Sequence, residues 1–344
     1  FPTTSKRKER IESLGALDVL ICSYSLLQQE EVLLTEKSWQ MIVLDEAQAI
    51  KNATTKRFQA AIRLKGVFKL SLTGTPIENH GEEIWSLFRF IAPGLLGSLE
   101  SFRKRFLDNP STKASLKSLI NMFILRRTKN VVLQELPSRT DQTLLIDMEP
   151  EEFAFYEALR RDTLKKVSDF DNTNTGQRKI HILAEMTKLR QACCHPQLAK
   201  KEISLPSSKL KAFSHLVDDL LENNHQALVF SQYVSYLALV RETLDNKNIP
   251  YQYLDGSTPA EIRKKQVQAF QEGQSPLFLL SLKAGGSGLN LTAADYVIHL
   301  DPWWNPAVED QASDRAHRLG QTRPVTIYRL IMKNTIEERI LELH

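Results

Sequence analysis

Two acidic residues and two arginines, far apart in the chain, are the side chains best suited to chemistry. Asp45 and Glu46 directly follow the apolar residues 41–44. If those residues form a strand of a parallel sheet, both carboxylates lie at its carboxyl end, where α/β proteins form ligand sites. One carboxylate can then hold Mg²⁺ through water while the other takes a proton from an attacking water. The alternative is that the pair only caps the next helix.

The two arginines lie within residues 309–321. On a helix, Gln311, Arg315 and Arg318 would share one face. Such a face, aimed across a cleft, can clamp the γ-phosphate of a nucleotide during its transfer. The alternative is a solvated helix whose arginines pair with Asp310 and Asp314.

Three loops that follow predicted strands add weaker signals. Thr73-Gly74-Thr75-Pro76 would place hydroxyls beside the acidic pair, or it is only a turn. The glycine-rich residues 283–290 would expose backbone N–H groups to phosphate oxygens. Trp303 and Trp304 are equally compatible with stacking on nucleotides and with the core.

A phosphate-binding lysine is missing from this pattern. None of the 13 glycines is followed by lysine, so the sequence contains no G-x-x-x-x-G-K-[ST] loop. A nucleotide site made from these residues would therefore lack one of its usual parts.

Composition bounds the class of protein. The 344 residues, 42% hydrophobic and 25% charged, indicate a globular protein of about two domains. We expect no membrane segment, because no window approaches about 18 consecutive apolar residues. Three cysteines and the lack of a signal sequence indicate a cytosolic protein, and Cys193-Cys194-His195 has no second ligand pair for a metal. Residues 99–200 hold 18 basic and 13 acidic residues, which suits either a nucleic acid partner or solvated helices.

Apolar patterning predicts an α/β protein. Short apolar runs indicate buried parallel strands at 18–22, 41–44 and 68–72, with a helix at 56–64. Amphipathic helices follow at 101–106, 115–127, 151–166 and 178–194. The α/β pattern then returns, with strands at 227–230, 251–254, 276–281, 296–300 and 325–330 and with helices at 236–246 and 259–271. Two α/β lobes thus flank a helical insertion.

The motifs, taken together in chain order, identify a family. DEAQ, LTGTPIEN, LRRTK, LRQACCHPQL, VFSQY, LDGST and the block from SLKAGGSGLN to RAHRLGQ resemble the Swi/Snf-type DNA-dependent ATPases of helicase superfamily two. The resemblance implies two RecA-like lobes with parallel β-sheets, joined by helical insertions, that use ATP and Mg²⁺ to translocate along double-stranded DNA. It predicts residues 1–98 as the C-terminal part of lobe 1, 99–204 as helical protrusions and linker, and 205–344 as lobe 2.

The resemblance also implies a role for individual residues. Asp45 would bind magnesium, Glu46 would activate water, Gln48 would relay from that motif, and Arg315 and Arg318 would be arginine fingers. ATP binding and coupling would fall to Thr73, Gly74, Thr75, Gln311 and Gly288. The DNA track would be lined by Ser23, Tyr24, Ser231, Gln232, Gly256, Ser257, Lys283, Gly285 and Trp304.

The sequence departs from the family pattern at its start. Only 44 residues precede Asp45, and none matches the phosphate-binding loop that should lie upstream. We therefore expect a fragment with an incomplete first lobe, inactive alone but derived from an active ATPase. Gln48 and the undecorated terminal block favour a bacterial-like, cytoplasmic member, or a nuclear one in a eukaryote. A non-catalytic DNA- or protein-binding module and an RNA polymerase recycling factor remain as alternatives; DNA-bound proteins are candidate partners, and no oligomer is implied.

Overall fold

The computed structural model describes residues 4–74, 81–127, 129–133, 135–169, 175–285 and 288–343. The chain divides into two compact units, Phe1–Arg126 and Arg127–His344. In the part of the chain that is described, no helix has both the length and the apolar character that crossing a membrane would require.

The first unit is built around two parallel strands, aligned from Ser38 beside Lys65 to Leu44 beside Ser71. Its described elements are α1 (Thr4–Glu12), α2 (Tyr24–Gln29), α3 (Glu31–Glu36), β1 (Ser38–Leu44), α4 (Lys56–Arg63), β2 (Lys65–Ser71), α5 (Glu82–Ile91), α6 (Leu99–Phe102) and α7 (Lys113–Asn121). Short 3-10 turns span Ala47–Ile50 and Pro110–Thr112, and a π-helical turn spans Arg103–Leu107.

Side chains alternate across β1 because successive residues of a strand point to opposite faces. Ile42 and Leu44 are buried in the core of the first unit, whereas Met41 and Val43 on the other face are 57% and 46% exposed. Helix α5 contributes buried apolar side chains to this core, among them Trp85, Phe88 and Phe90. The core therefore lies on one face of the sheet.

The predicted strand at 18–22 is wrong. These residues form no strand, and Val19 and Ile21 are 83% and 91% exposed. An apolar run becomes a strand only if it finds a hydrogen-bonding neighbour, and the described sheet of this unit contains β1 and β2 alone. The strand predicted at 68–72 and the helix at 56–64 correspond to β2 and α4.

The second unit contains a six-stranded, all-parallel sheet with the order β3-β8-β7-β4-β6-β5. Its described strands are β3 (Arg139–Ile146), β4 (Ala227–Ser231), β5 (Tyr251–Leu254), β6 (Leu277–Ser281), β7 (Tyr296–His299) and β8 (Val325–Met332). Its described helices are α8 (Lys129–Val132), α9 (Pro150–Asp169), α10 (Thr175–Cys194), α11 (Pro196–Ala199), α12 (Ser208–Glu222), α13 (Val234–Asn246), α14 (Ala260–Gln271), α15 (Leu282–Gly285), α16 (Pro306–Ser313) and α17 (Ile336–Leu341).

Both faces of this sheet are covered, which explains why its central strands are apolar throughout. Every residue of β4 and β6 is buried. Ala227 and Val229 of β4 pack with helices α12 and α13 on one face, whereas Leu228 and Phe230 pack with α14 and α16 on the other. The result is a three-layer α/β/α arrangement whose strand ends present loops on one edge.

Strand β3 lies inside the segment predicted as a helical insertion, and the sequence did not predict it. It pairs with β8, from Arg139 beside Val325 to Ile146 beside Met332. Its position at the sheet edge leaves most of its residues exposed or half-buried, so it lacks the apolar run that marks β4. Edge strands of this kind are specified mainly by their partner.

Candidate active site

The acidic pair lies in a tight turn at the carboxyl end of β1. Leu72 N donates to Leu44 O (2.8 Å) and Ala47 N donates to Leu72 O (2.9 Å), which ties together the ends of the two strands. Glu46 adopts the left-handed conformation (φ 49°, ψ 50°) and makes no side-chain cap on the following 3-10 turn. Asp45 and Glu46 are therefore exposed at the sheet edge, and capping does not explain the pair.

A chain of side-chain hydrogen bonds connects this turn to the segment after β2. Gln48 Nε2 donates to Glu46 Oε2 (2.6 Å), and Thr73 Oγ1 donates to Gln48 Oε1 (2.8 Å). Asp45 Oδ1 accepts the Glu46 backbone N–H (3.0 Å). The structure thus brings together Asp45, Glu46, Gln48 and Thr73; Gly74 follows at once, and Thr75 lies outside the described residues.

Tyr24 also reaches the acidic turn. Its hydroxyl donates to the backbone carbonyl of Asp45 (2.8 Å). Burial, with a smaller contribution from the negative charges of Asp45 and Glu46, raises the pKa of Tyr24 to about 12. Ser23 caps α2 by accepting the N–H of Leu26, and Tyr24 is the first residue of that helix. Both residues were predicted to contact DNA, and in the structure Tyr24 also holds the acidic turn in place.

The acidic turn fits a magnesium ion held largely by water and phosphate oxygens. Among the residues that the structure describes, no group of three potential ligands stands ready to enclose a metal. Mg²⁺ is commonly bound through one or two carboxylates while it keeps several waters. The exposed carboxylate of Asp45 suits that role, and Glu46 beside it is held by Gln48.

The arginines do not lie on one helical face, which corrects the sequence prediction. Helix α16 ends at Ser313, so it contains Gln311 but neither Arg315 nor Arg318. Beyond Ser313 the regular α-helical pattern of backbone hydrogen bonds is lost. Arg315 N donates to Ala312 O and Arg318 N donates to Ala316 O, so these bonds span fewer residues than those of an α-helix. Both arginines lie in a compact loop, residues 314–321, which we call the arginine loop.

Long-range contacts give the arginine loop its shape. The Arg315 carbonyl accepts Leu291 N–H (3.1 Å), and Gly320 adopts a positive φ of 98°. Gln321, 6% exposed, directs Nε2 at the carbonyls of Thr292, Ala294 and Ala316 and accepts the N–H groups of Thr322 and Arg323. These bonds take the place of the backbone hydrogen bonds that would continue α16, which is why that helix ends at Ser313.

The loop holds the two arginines differently. Arg315 is 4% exposed. Arg318 is half-buried, and its Nη1 donates to Leu289 O (3.2 Å) in the glycine-rich segment. The carboxylates of Asp310 and Asp314 form ion pairs with Lys129, Arg139 and Arg329, cations that the solvated-helix alternative did not include.

The glycine-rich segment and the turn after β5 contain five of the predicted contacts. Lys283 and Gly285 belong to α15, and Lys283 is exposed; Gly288 has a positive φ of 57° with open space around it. Gly256 and Ser257 are exposed, and Ser257 bonds to Asp255 through both its N–H and its hydroxyl. Lys283, Gly288, Gly256 and Ser257 therefore remain accessible.

Ser231 and Gln232 are less accessible than predicted contacts should be. Ser231 is fully buried and its hydroxyl donates to Asp301 Oδ1, while Gln232 N donates to the same carboxylate. Burial raises the pKa of Asp301, an effect partly offset by these donors. The pair therefore connects the end of β4 to the segment that carries the tryptophans.

Arg190 is a residue that the motif analysis missed. It is 3% exposed, its Nη2 donates to Pro302 O, and its guanidinium lies 4.9 Å from the Trp304 ring centroid and 6.0 Å from that of Trp303. Trp303 packs at the core, whereas Trp304 is 38% exposed. A charged residue between buried Leu189 and Ala192 of α10 is the signal that could have revealed it.

Comparison with known proteins identifies the family. Residues 3–198 match the family model "SNF2-related domain" and residues 208–320 match "Helicase conserved C-terminal domain". The chain is 41% identical to the putative ATP-dependent helicase/translocase YwqA of Bacillus subtilis over 94% of its own length and 36% of that protein. It is 33% identical to human SWI/SNF-related matrix-associated actin-dependent regulator of chromatin subfamily A member 1, over 95% of the chain and 33% of that protein.

A solved structure gives the same result. The Sulfolobus solfataricus SWI2/SNF2 ATPase core in complex with dsDNA is 35% identical, with a TM-score of 0.53, over 93% of this chain and 69% of that one. The α/β fold with parallel sheets predicted from the sequence is confirmed. The chain spans about a third of the length of the curated relatives it matches.

Proposed function

Because the chain belongs to the SNF2-related family of ATP-dependent helicases, we propose that it forms part of an ATP-driven translocase of double-stranded DNA that remodels protein–DNA complexes. The observation that carries the proposal is the hydrogen-bonded chain from Glu46 through Gln48 to Thr73 at the end of a parallel strand. This chain of bonds holds the Glu46 carboxylate beside the exposed carboxylate of Asp45. It also links the acidic turn to Thr73, in the segment predicted to couple hydrolysis to DNA.

Glu46 is the group that would accept a proton from the attacking water. Its Oε2 accepts the Gln48 amide N–H, which holds the carboxylate in place at the strand end where it would orient that water. Asp45, exposed and bonded through Oδ1 to one backbone N–H, would hold Mg²⁺ by way of water. The ion, when bound, supplies positive charge to the phosphate oxygens.

Arg315 and Arg318 would stabilise negative charge on the transferred phosphate. Phosphoryl transfer needs little covalent help from the protein and depends on positioning and charge stabilisation. A compact, bonded loop presents such cations with little reorganisation at the moment of reaction. Gln311 and Gly288 would contribute to the same nucleotide contacts.

We propose that Ser23, Gly256, Ser257, Lys283, Gly285 and Trp304 line the DNA track. Lys283 supplies positive charge and Trp304 an aromatic face, the two features that suit a phosphate backbone and its bases. Ser231 and Gln232 would contribute after their bonds to Asp301 rearrange, and Tyr24 through the acidic turn. We also propose that the second lobe includes β3 in addition to residues 205–344.

The decisive test is Glu46→Gln in the full-length protein. Loss of the proton acceptor should lower DNA-stimulated ATP turnover by about 10²-fold or more, measured as phosphate release at saturating double-stranded DNA. Glu36→Gln, an exposed position at the end of α3, is the matched control. Undiminished turnover in Glu46→Gln would refute the proposal.

Wild-type measurements separate the alternatives. DNA binding without any DNA-stimulated phosphate release would indicate a non-catalytic module. Co-purification with RNA polymerase in nuclease-treated extracts, rather than with DNA alone, would instead favour a polymerase recycling factor.

A further inference from the structure

The first residues of the second unit lie against the arginine loop. Lys129 Nζ forms an ion pair with Asp314 Oδ1 (2.6 Å) and donates to the backbone carbonyl of His317 (3.1 Å). His317, 6% exposed, lies with Nε2 2.9 Å from the carbonyl of Pro137. Because a carbonyl oxygen only accepts, that nitrogen carries the proton. We call residues 129–133 and 135–141 the arm.

The C-terminal end of the arm fastens α16, the helix that leads into the arginine loop. Arg139 contacts Asp141 through two nitrogens (2.8 and 3.0 Å) and Asp310 through one (2.7 Å). Arg329 of β8 bonds to Asp141 (2.8 Å) and to Glu309 (2.9 Å). The charged side chains of Arg139 and Arg329 hold the pKa of Asp141 below its usual value, against the opposing effect of burial.

The same network reaches the tryptophans. Glu309 is 1% exposed, and its other oxygen accepts the backbone N–H of Trp303 (2.7 Å). One connected set of ion pairs and hydrogen bonds therefore runs from the Trp303 backbone through α16 to Asp314. Lys129 occupies its end by pairing with Asp314, which immediately precedes Arg315 in the sequence.

We propose that Lys129 is a positioning residue for the arginine loop: it fixes Asp314 and the His317 carbonyl on either side of Arg315 and so sets where Arg315 and Arg318 stand. This inference rests on the proposed function, which gives those arginines their task. The arm is also the stretch by which the chain passes from the first unit to the second. A displacement of the arm therefore reaches Asp314 through its ion pairs with Lys129 (2.6 Å) and Arg139 (3.8 Å), of which that with Lys129 is the closer.

Stability does not account for this contact. The side chains of Lys129 and Asp314 are 37% and 34% exposed, and ion pairs at such exposure contribute little to folding because water and salt screen them. Orientation is a different matter, since a misplacement of about 1 Å can cost about 10²-fold in rate. A contact that adds little stability can thus be essential for positioning.

The experiment measures DNA-stimulated ATP turnover of the full-length protein carrying Lys129→Met. We expect kcat to fall about tenfold while KM for ATP stays within about twofold, because an interaction made only in the transition state alters kcat. The thermal melting temperature should not change. Lys129→Arg, which keeps a cation at this site, should retain most of the turnover.

A second ion pair supplies the matched control. Lys247 and Asp218 lie 2.6 Å apart, with 36% and 45% exposure, between α13 and α12. Lys247→Met removes an equivalent contact from the same unit and should leave kcat unchanged. A charge exchange adds a stricter test: Lys129→Asp should lose turnover, and adding Asp314→Lys should recover part of it.

Arg318→Ala separates failure of this inference from failure of the proposed function. If Arg318→Ala loses turnover and Lys129→Met does not, the arm has no positioning role and the ATPase assignment stands. If Lys129→Met lowers the melting temperature in step with kcat, its role is structural and the inference is wrong. If Arg318→Ala keeps full turnover, Arg318 has no finger role and the inference fails, whereas the ATPase assignment fails only if the wild-type protein shows no DNA-stimulated turnover.

Discussion

Two glutamines, one in each unit, show how differently the acidic turn and the arginine loop are built. Gln48 is half-buried, and the two described bonds of its side chain are both to other side chains, those of Glu46 and Thr73. Gln321 is 6% exposed and bonds to five backbone groups. The same residue type serves as a link between reactive groups in one unit and as an internal brace in the other.

The difference indicates which of these two groups of residues can adjust its side chains. The acidic turn exposes its carboxylates and is held through side chains that water can replace at modest cost. The arginine loop is fixed through backbone bonds in a buried setting, where an unpaired group is expensive. We infer that the arginines are preorganised and that the carboxylates settle when ligand arrives.

Gln321→Ala should have the largest effect on this contrast. It leaves five buried or half-buried backbone groups without their partner, so the free energy of unfolding should fall by about 3 kcal/mol. Chemical denaturation of the protein, followed by tryptophan fluorescence, measures it. Gln268→Ala, which removes an exposed glutamine bonded to Glu272, should change stability by less than about 0.5 kcal/mol. If Gln321→Ala changed the free energy of unfolding as little as Gln268→Ala, the proposed contrast between Gln48 and Gln321 would be wrong.

Gln48→Ala should behave in the opposite way. The half-buried side chain contributes little to folding, but its loss releases Glu46 from Thr73, so DNA-stimulated turnover should fall about tenfold with the melting temperature unchanged. Steady-state phosphate release and a thermal melt on the same samples provide both readouts. A variant that melts early and turns over normally would contradict the proposed division of roles.

A smaller effect should appear as the pH is lowered. His299 of β7 is 1% exposed, lies 2.9 Å from the Ser313 hydroxyl at the end of α16, and has its pKa lowered to about 4, mainly by burial. Its neutral form therefore stabilises the fold. This contribution is complete above the unfolded-state pKa of about 6.5 and is lost as the pH falls toward 4.

His299→Gln should make the stability of the fold depend less on pH. The melting temperature of the second unit should fall less between pH 6.5 and 4 than it does in the wild type, and His215→Gln, at an exposed position of α12, should leave the wild-type slope intact. If the melting temperature falls equally with pH in the wild type and in His299→Gln, protonation of His299 does not weaken the contact between β7 and the end of α16.

The sequence predicts those parts of the fold whose signal is local. Residues 251–254 and the apolar runs at 227–230 and 276–281 correspond to β5, β4 and β6 within one residue at each end, because strands buried on both faces are apolar throughout. The apolar run at 18–22 carries the same signal and yet forms no strand, since pairing depends on neighbours that composition does not reveal. The prediction missed strand β3 for the opposite reason, because β3 has a partner strand but no apolar run.

The same distinction applies to the site. Asp45 and Glu46 could be placed because one strand end positions both, and Thr73 follows the neighbouring strand. The helical face of Gln311, Arg315 and Arg318 was wrong because the end of α16 is decided elsewhere: His317 contacts Pro137, 180 residues away in sequence, and Gln321 contacts Thr292. Arg190 was missed because its partners come from a different motif.

The pairing of β3 with β8 has a consequence during synthesis. Asp141 and its ion-pair partner Arg329 are 188 residues apart in sequence, and β8 lies between β3 and the rest of the sheet. At ribosomal rates of about 5–20 residues per second, β3 waits roughly 10–40 s for its partner. Throughout that time the unpaired edge of β3 and the incomplete sheet are open to other chains, so the nascent protein should need a chaperone most strongly before β8 emerges.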